Sequence, residues 1–210
     1  MSKIITRLFD TFADAEHAVI ELERAGVPHS DISIVAHNDD KHPHSPARVR
    51  EPRDDTAGEA AAKDAGAGAA IGGTVGAAGG VLAGLGLLAI PGLGPVIAAG
   101  WLASAATAAI VGGAVAGAAG GIIGALTNAG VSQEEADVYA EGVRRGGTLV
   151  SAKVADDQIA AAEAVLDNVR FVDPAARGDA YRADGWARFD GQAPPYTQAE
   201  VQAERVRWER

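Results

Sequence analysis

No Asp, Glu, Lys or Arg occurs between Ala65 and Gln133, and nothing else in the chain limits its folding as strongly. An uncharged surface of that length is not stable in water unless something covers it. Glycine is regular inside it: Gly68, Gly72, Gly76, Gly80 and Gly84 recur every fourth residue. Gly113, Gly117 and Gly121 form a second series, with Gly112, Gly120 and Gly124 beside it. Residues four apart lie above one another on a helix, so each series predicts a bare ridge where another backbone approaches closely. Helical Gly costs about 1 kcal/mol relative to Ala, and close packing has to offset that. The break Pro91-Gly92-Leu93-Gly94-Pro95 separates the two series. Residues 58–131 are therefore expected to form two long helices folded back at Pro91, Gly92, Gly94 and Pro95, a glycine-zipper hairpin.

The formal charge of −10 lies in the flanks, with 8 basic and 13 acidic residues over Met1–Asp64 and 10 and 15 over Glu134–Arg210. Neither flank offers a basic surface for phosphates, so nucleic acid is not an expected partner. The chain has no cysteine, which removes disulfides, thiolate catalysis and cysteine-ligated metal sites and fits a reducing compartment. Met1–Asp10 lacks the apolar core of a secretory signal. Both flanks are expected in the cytoplasm, with inner-membrane association left open.

The flanks read as α+β. Ile4–Phe9 alternates like a strand, and Thr11-x-x-Asp14 is a capping box. Ala15, Ala18, Val19, Leu22 and Ala25 then share one helix face. Gly26 and Pro28 end that helix, and Ile32–Ala36 is a second strand. After the hairpin, Ser132-x-x-Glu135 opens a helix that Gly146-Gly147 terminates. Thr148–Ala155 is a strand, Asp156 or Asp157 is the expected cap of a helix burying Ile159, Ala162, Leu166 and Val169, and Arg170–Asp173 is a candidate closing strand. Two βαβ units of this kind commonly form a ferredoxin-like sheet of four antiparallel strands. The domain plan is thus a first half at 1–37, a polar linker at 38–57, the hairpin at 58–131, a second half at 132–176 and a polar tail at 177–210. The tail carries Tyr181, Trp186, Phe189, Tyr196 and Trp208, which suggests docking on a surface; a disordered tail is the alternative. Thr197 is positioned to cap a short helix over Glu200–Trp208.

Catalytic chemistry is not legible. No His follows His44, so the uncharged segment's Ser104, Thr107 and Thr127 have no nearby base for a hydrolase triad. The glycines continue over many turns and no lysine lies between Lys63 and Lys153, unlike a phosphate-binding loop. Glu134-Glu135 and Asp156-Asp157 sit at helix starts, where carboxylates favour the dipole. His37, His42 and His44 accompany Asp39 and Asp40 in a segment with Pro43, Pro46 and Pro52, but such a stretch predicts no rigid support for a metal. The expectation is a non-enzyme with no cofactor and no metal.

In the order of these motifs the chain resembles the bacterial general stress protein (heat-induced stress protein) family. The resemblance rests on Phe9, the Ala15/Ala18/Leu22 helix, Gly26 and Ile32-Ser33-Ile34-Val35. It continues in Tyr139, Gly142, Gly146-Gly147, Leu149-Val150 and the Ala161–Leu166 helix. The Ile90–Pro95 turn followed by Ala98-Ala99-Gly100 is similar to that of members with a glycine-rich insertion. It covers about Ile4 to Asp173 and implies a stress-linked role with no catalytic residues to carry over. Val169-Arg170-Phe171-Val172 stands where the family often has Gly-Ala.

Three placements of the hairpin remain open. Gly66–Ile90 and Val96–Thr127 each exceed the ~20 residues that cross a bilayer, and stripes of glycine suit helix pairs in lipid. Alternatively, hairpins stack in a soluble homo-oligomer. A hairpin buried on its own sheet is the weakest, because two helices of ~40 Å or more exceed one small sheet. Membrane association ranks just ahead of soluble assembly, with self-association expected in both; a ligand-sensing ferredoxin-like module is a further alternative.

Overall fold

The computed structural model describes residues 2–38, 86–90, 93–104 and 117–208. It is a mixed α/β fold around an antiparallel sheet. The first flank supplies β1 (Ser2–Phe9), α1 (Phe12–Arg24) and β2 (Ile32–His37). Thr11 Oγ1 accepts the Asp14 amide at 3.1 Å, as its capping box predicts. Gly26, at φ +95°, ends α1 while the Val27 amide bonds back to the Leu22 carbonyl at 3.0 Å. That closure needs a left-handed residue, and Gly adopts it without a Cβ penalty.

The uncharged segment does not form the expected helical hairpin where it is described. It contributes β3 (Gly86–Ile90) and β4 (Gly94–Ala99), then a helical turn at 101–104 and α2 (Gly117–Asn128). The chain does reverse between Ile90 and Gly94, but two paired strands meet there instead of two helices. The physical reason is local and tertiary together. Prolines at 91 and 95 limit any helix, and the runs beside them are short and aliphatic, with β-branched Val96 and Ile97. The open edge of β2 then supplies backbone partners, placing Val35 opposite Ala98 and His37 opposite Val96. Gly68, Gly72, Gly76, Gly80, Gly84, Gly113, Pro91 and Gly92 lie outside the described residues, as do Asp39, Asp40, His42 and His44. Gly117 and Gly121 lie on α2.

The second flank forms α3 (Gln133–Arg144), β5 (Thr148–Ala155), α4 (Ile159–Asp167), α5 (Pro174–Ala183) and α6 (Gln198–Trp208). Ser132 caps α3 by accepting the Glu135 amide at 3.2 Å. The expected Asp156 or Asp157 cap of α4 is corrected: Gln158 occupies the cap position and makes no capping bond. The closing strand shrinks to one bridge, in which the Val172 amide donates to the Leu8 carbonyl at 2.7 Å.

Strand order is β1-β5-β2-β4-β3, every neighbour antiparallel. Both flanks thus enter one sheet, with β5 between β1 and β2. Successive residues of a strand face opposite sides, and both sides are packed. Ile5, Phe9, Ile34, Val150 and Val154 meet Ala15, Val19, Leu22, Ala162 and Leu166 of α1 and α4. On the other face, Leu8, Val35, Val96 and Leu149 meet Ile122 and Leu126 of α2 and Tyr139, Ala140 and Val143 of α3. Part of the uncharged segment therefore covers its own sheet, the arrangement ranked weakest from sequence, because α2 is short enough to fit. Val96–Thr127 is not one membrane-crossing helix; among the described residues no helix is long and apolar enough to cross a membrane.

Candidate functional site: a charged and aromatic clasp

Among the described residues a dense polar cluster lies where β1 ends and β5 begins. Asp10 follows β1, Glu141, Arg144 and Arg145 close α3, and Gly146-Gly147 leads into β5. Gly146, at φ +100°, and Gly147 repeat the backbone closure seen after α1, with the Gly147 amide bonded to the Gly142 carbonyl at 2.9 Å. That sharp end leaves the α3 terminus open to α5 and α6. A Cβ on Gly146 would lie 2.3 Å from Val201 Cγ1, so α6 rests directly on the glycine.

Two arginines organise the contact. Arg177 of α5 is 8 % exposed and donates to both Asp10 carboxylate oxygens, at 2.8 and 3.0 Å. Its guanidinium also stacks 3.8 Å from the Trp208 ring centroid. Arg145 donates to Glu141 at 2.7 Å and to Glu204 of α6 at 3.2 Å, over the Tyr181 ring at 4.1 Å. Arg144 lies 5.0 Å from the Tyr196 ring centroid, and Arg205 donates to the Gly146 carbonyl at 2.9 Å. Paired, forked arginine–carboxylate contacts of this kind are strong and directional. Burial opposes charge on Arg145 and Arg177, but their carboxylate and tyrosine partners together outweigh it and raise both pKa values. Burial pushes the Tyr181 phenol up to about 12 against the pull of Arg177, so it stays neutral at physiological pH.

Chemically the clasp is closed. Its arginines face carboxylates, no histidine adjoins it among the described residues, and the remaining space is about 10 Å³, room for about one water. It locks the C-terminal helices onto the fold. The stretch expected as a polar tail at 177–210 therefore packs on its own chain, burying Tyr181, Phe189 and Val201. Thr197 caps α6 as expected, with its hydroxyl accepting the Glu200 amide at 3.4 Å.

A more open cleft of about 270 Å³ lies between the start of α3 and α5, lined by Ser132, Glu134, Glu135, Val138, Pro174, Ala175, Asp179 and Arg182. Arg182 is already paired with Glu134 across it and with Asp179 on its own helix. The remaining sequence-derived positions do not gather at either place. Gly94 and Pro95 open β4, where a Cβ on Gly94 (φ +84°) would meet Pro195 at 2.8 Å. His37 is buried on β2, opposite Val96. Among the described residues no three His, Asp or Glu side chains are arranged for a metal.

No family model, curated protein or solved structure matches this chain. The clasp residues Asp10, Glu141, Arg145 and Arg177 are not singled out by sequence reasoning. The available signal is the recurrence of Arg among the tail aromatics, a composition that favours cation–π stacking.

Proposed function

We propose that this chain is a non-enzymatic structural protein that self-associates through its uncharged segment, held by a ferredoxin-like split βαβ domain. The carrying observation is that β3–β4 and α2, all from the stretch without charge, are built into the same sheet and layers as both flanks. The described parts of the uncharged segment, at 86–90, 93–104 and 117–131, are thereby held on a folded acidic body. The order Val172 bridge-β1-β5-β2 supports the ferredoxin-like reading, with the fourth strand reduced to that bridge. A closed clasp whose carboxylates Asp10, Glu141 and Glu204 are paired with arginines supports a structural role. The link to stress rests on the family resemblance alone and is part of the proposal.

Detergent-free ultracentrifugation of the purified chain over a range of concentrations tests this reading. A mass of two or more chains supports it; a single-chain mass at every concentration overturns it. Recovery with lipid vesicles, where the free protein stays monomeric, replaces it with membrane association.

A further inference from the structure

The two edges of the sheet are unlike, and the difference identifies a contact surface. An edge strand exposes unpaired backbone N–H and C=O groups, and proteins blunt such edges with charges, Pro, bulges or a covering segment. The β1 edge is protected in these ways. Lys3 and Arg7 lie on it, paired with Glu163 and Asp167 of α4, and Val172 bridges Leu8. The β3 edge reads Gly-Leu-Leu-Ala-Ile over Gly86–Ile90, with no charge and no Pro. Among the described residues its backbone pairs only with β4, from Gly86 opposite Ala98 to Ile90 opposite Gly94.

We propose that β3 is the self-association surface, pairing antiparallel with β3 of a second copy about a twofold axis through Leu88. This rests on the self-association reading above and names its contact. Charge favours a second copy at this edge. A chain of net charge −10 sets like charges against each other at most self-contacts, whereas residues 65–133 carry none. Identical strands paired antiparallel form a closed, self-complementary contact. The result is a continuous sheet of both copies, with each β3 satisfied on two sides. Leu88 is the middle residue of β3, so the twofold places it opposite itself, about 4.5–5.5 Å apart between Cα atoms.

The chain contains no cysteine, so Leu88→Cys in the full-length protein is a clean probe. Cα separations of that size permit a disulfide, and mild oxidation is expected to give a reducible covalent dimer. Ile4→Cys on β1 is expected to stay single. Leu88→Lys and Leu88→Glu, examined separately, are expected to halve the parent mass in ultracentrifugation. Mixing the two is expected to restore it, because opposite charges then face each other, an outcome that misfolded variants cannot give. A parent dimer unchanged by both charges, with no crosslink in the Leu88→Cys variant, overturns the β3 contact and leaves self-association standing. That pattern would mean another segment of this chain covers the edge. A monomeric parent overturns both.

Discussion

The Arg177 guanidinium sits 3.8 Å from the centroid of the Trp208 ring and grips both oxygens of Asp10. One side chain thereby joins the end of β1 to the last turn of α6, across nearly the whole length of the sequence. The contact explains how a stretch with few apolar residues stays folded. Its aromatic rings have arginine faces to lie on, and the arginines have carboxylates to neutralise them.

Arg177→Ala is expected to cost about 2–4 kcal/mol, because it strands a mostly buried carboxylate and uncovers an aromatic ring. Arg177→Lys is expected to recover less than half, since an ammonium lacks the planar fork and stacks poorly. Urea unfolding of the two variants against the parent measures both. A loss under about 1 kcal/mol for the alanine variant would place the pair in the class of weak surface contacts.

Two glycines separate backbone strain from crowding. Gly130 (φ +94°) and Gly146 (φ +100°) both need the left-handed region, but a Cβ on Gly130 meets nothing within 4 Å, whereas one on Gly146 lies 2.3 Å from Val201 Cγ1. Gly130→Ala is expected to cost about 1 kcal/mol from conformation alone. Gly146→Ala adds about 1–3 kcal/mol of overpacking. In the Gly146→Ala/Val201→Ala double variant the losses should be less than additive, since the second change removes the clashing methyl. Strict additivity in denaturant titrations would show that α6 does not rest on that glycine.

What the sequence makes legible here is what local chemistry decides. Thr11 and Ser132 mark helix starts through their own hydroxyls, and Gly26 and Gly146 mark the ends by their backbone freedom. The alternation of Leu149 and Val150 onto opposite faces is equally local. Gly117 and Gly121 lie on helix α2, as their spacing predicts, but β3 and β4 are not legible in the uncharged segment, because composition does not name a partner for the backbone. The edge of β2 provides that partner, and it lies far away in sequence, as Ile34 opposite Ala99 shows. The clasp is hidden for the same reason: Asp10 and Arg177 are separated by 167 positions, and no period connects them.

The helix caps give a graded test of that local reading. Thr11→Ala and Ser132→Ala each remove an acceptor from a free helix amide and are expected to cost about 1 kcal/mol. Asp157, a cap by its sequence position, makes no capping bond for α4, so Asp157→Ala is expected to stay within about 0.5 kcal/mol of the parent. Equal losses at all three positions in thermal unfolding would contradict the assigned start of α4.

High pH probes the clasp through its phenol. Burial raises the Tyr181 pKa to about 12 despite the favourable charge of Arg177; burial, then the Glu135 carboxylate, also raises that of Tyr139. Unfolded tyrosine titrates near about 10. Between those values the folded chain keeps a proton that the unfolded chain releases, so stability falls as pH rises. The contribution of each phenol is complete below about pH 10 and declines by about 1.4 kcal/mol per pH unit above it. Tyr181→Phe removes one of three phenols whose pKa the fold raises and leaves Tyr139 and Tyr196, so it is expected to reduce the decline by about a third. The measurement is the urea midpoint of parent and variant at half-unit steps from about pH 9 to about pH 11.5. If both lose stability at the same rate, the Tyr181 phenol is not what the fold protects from ionising.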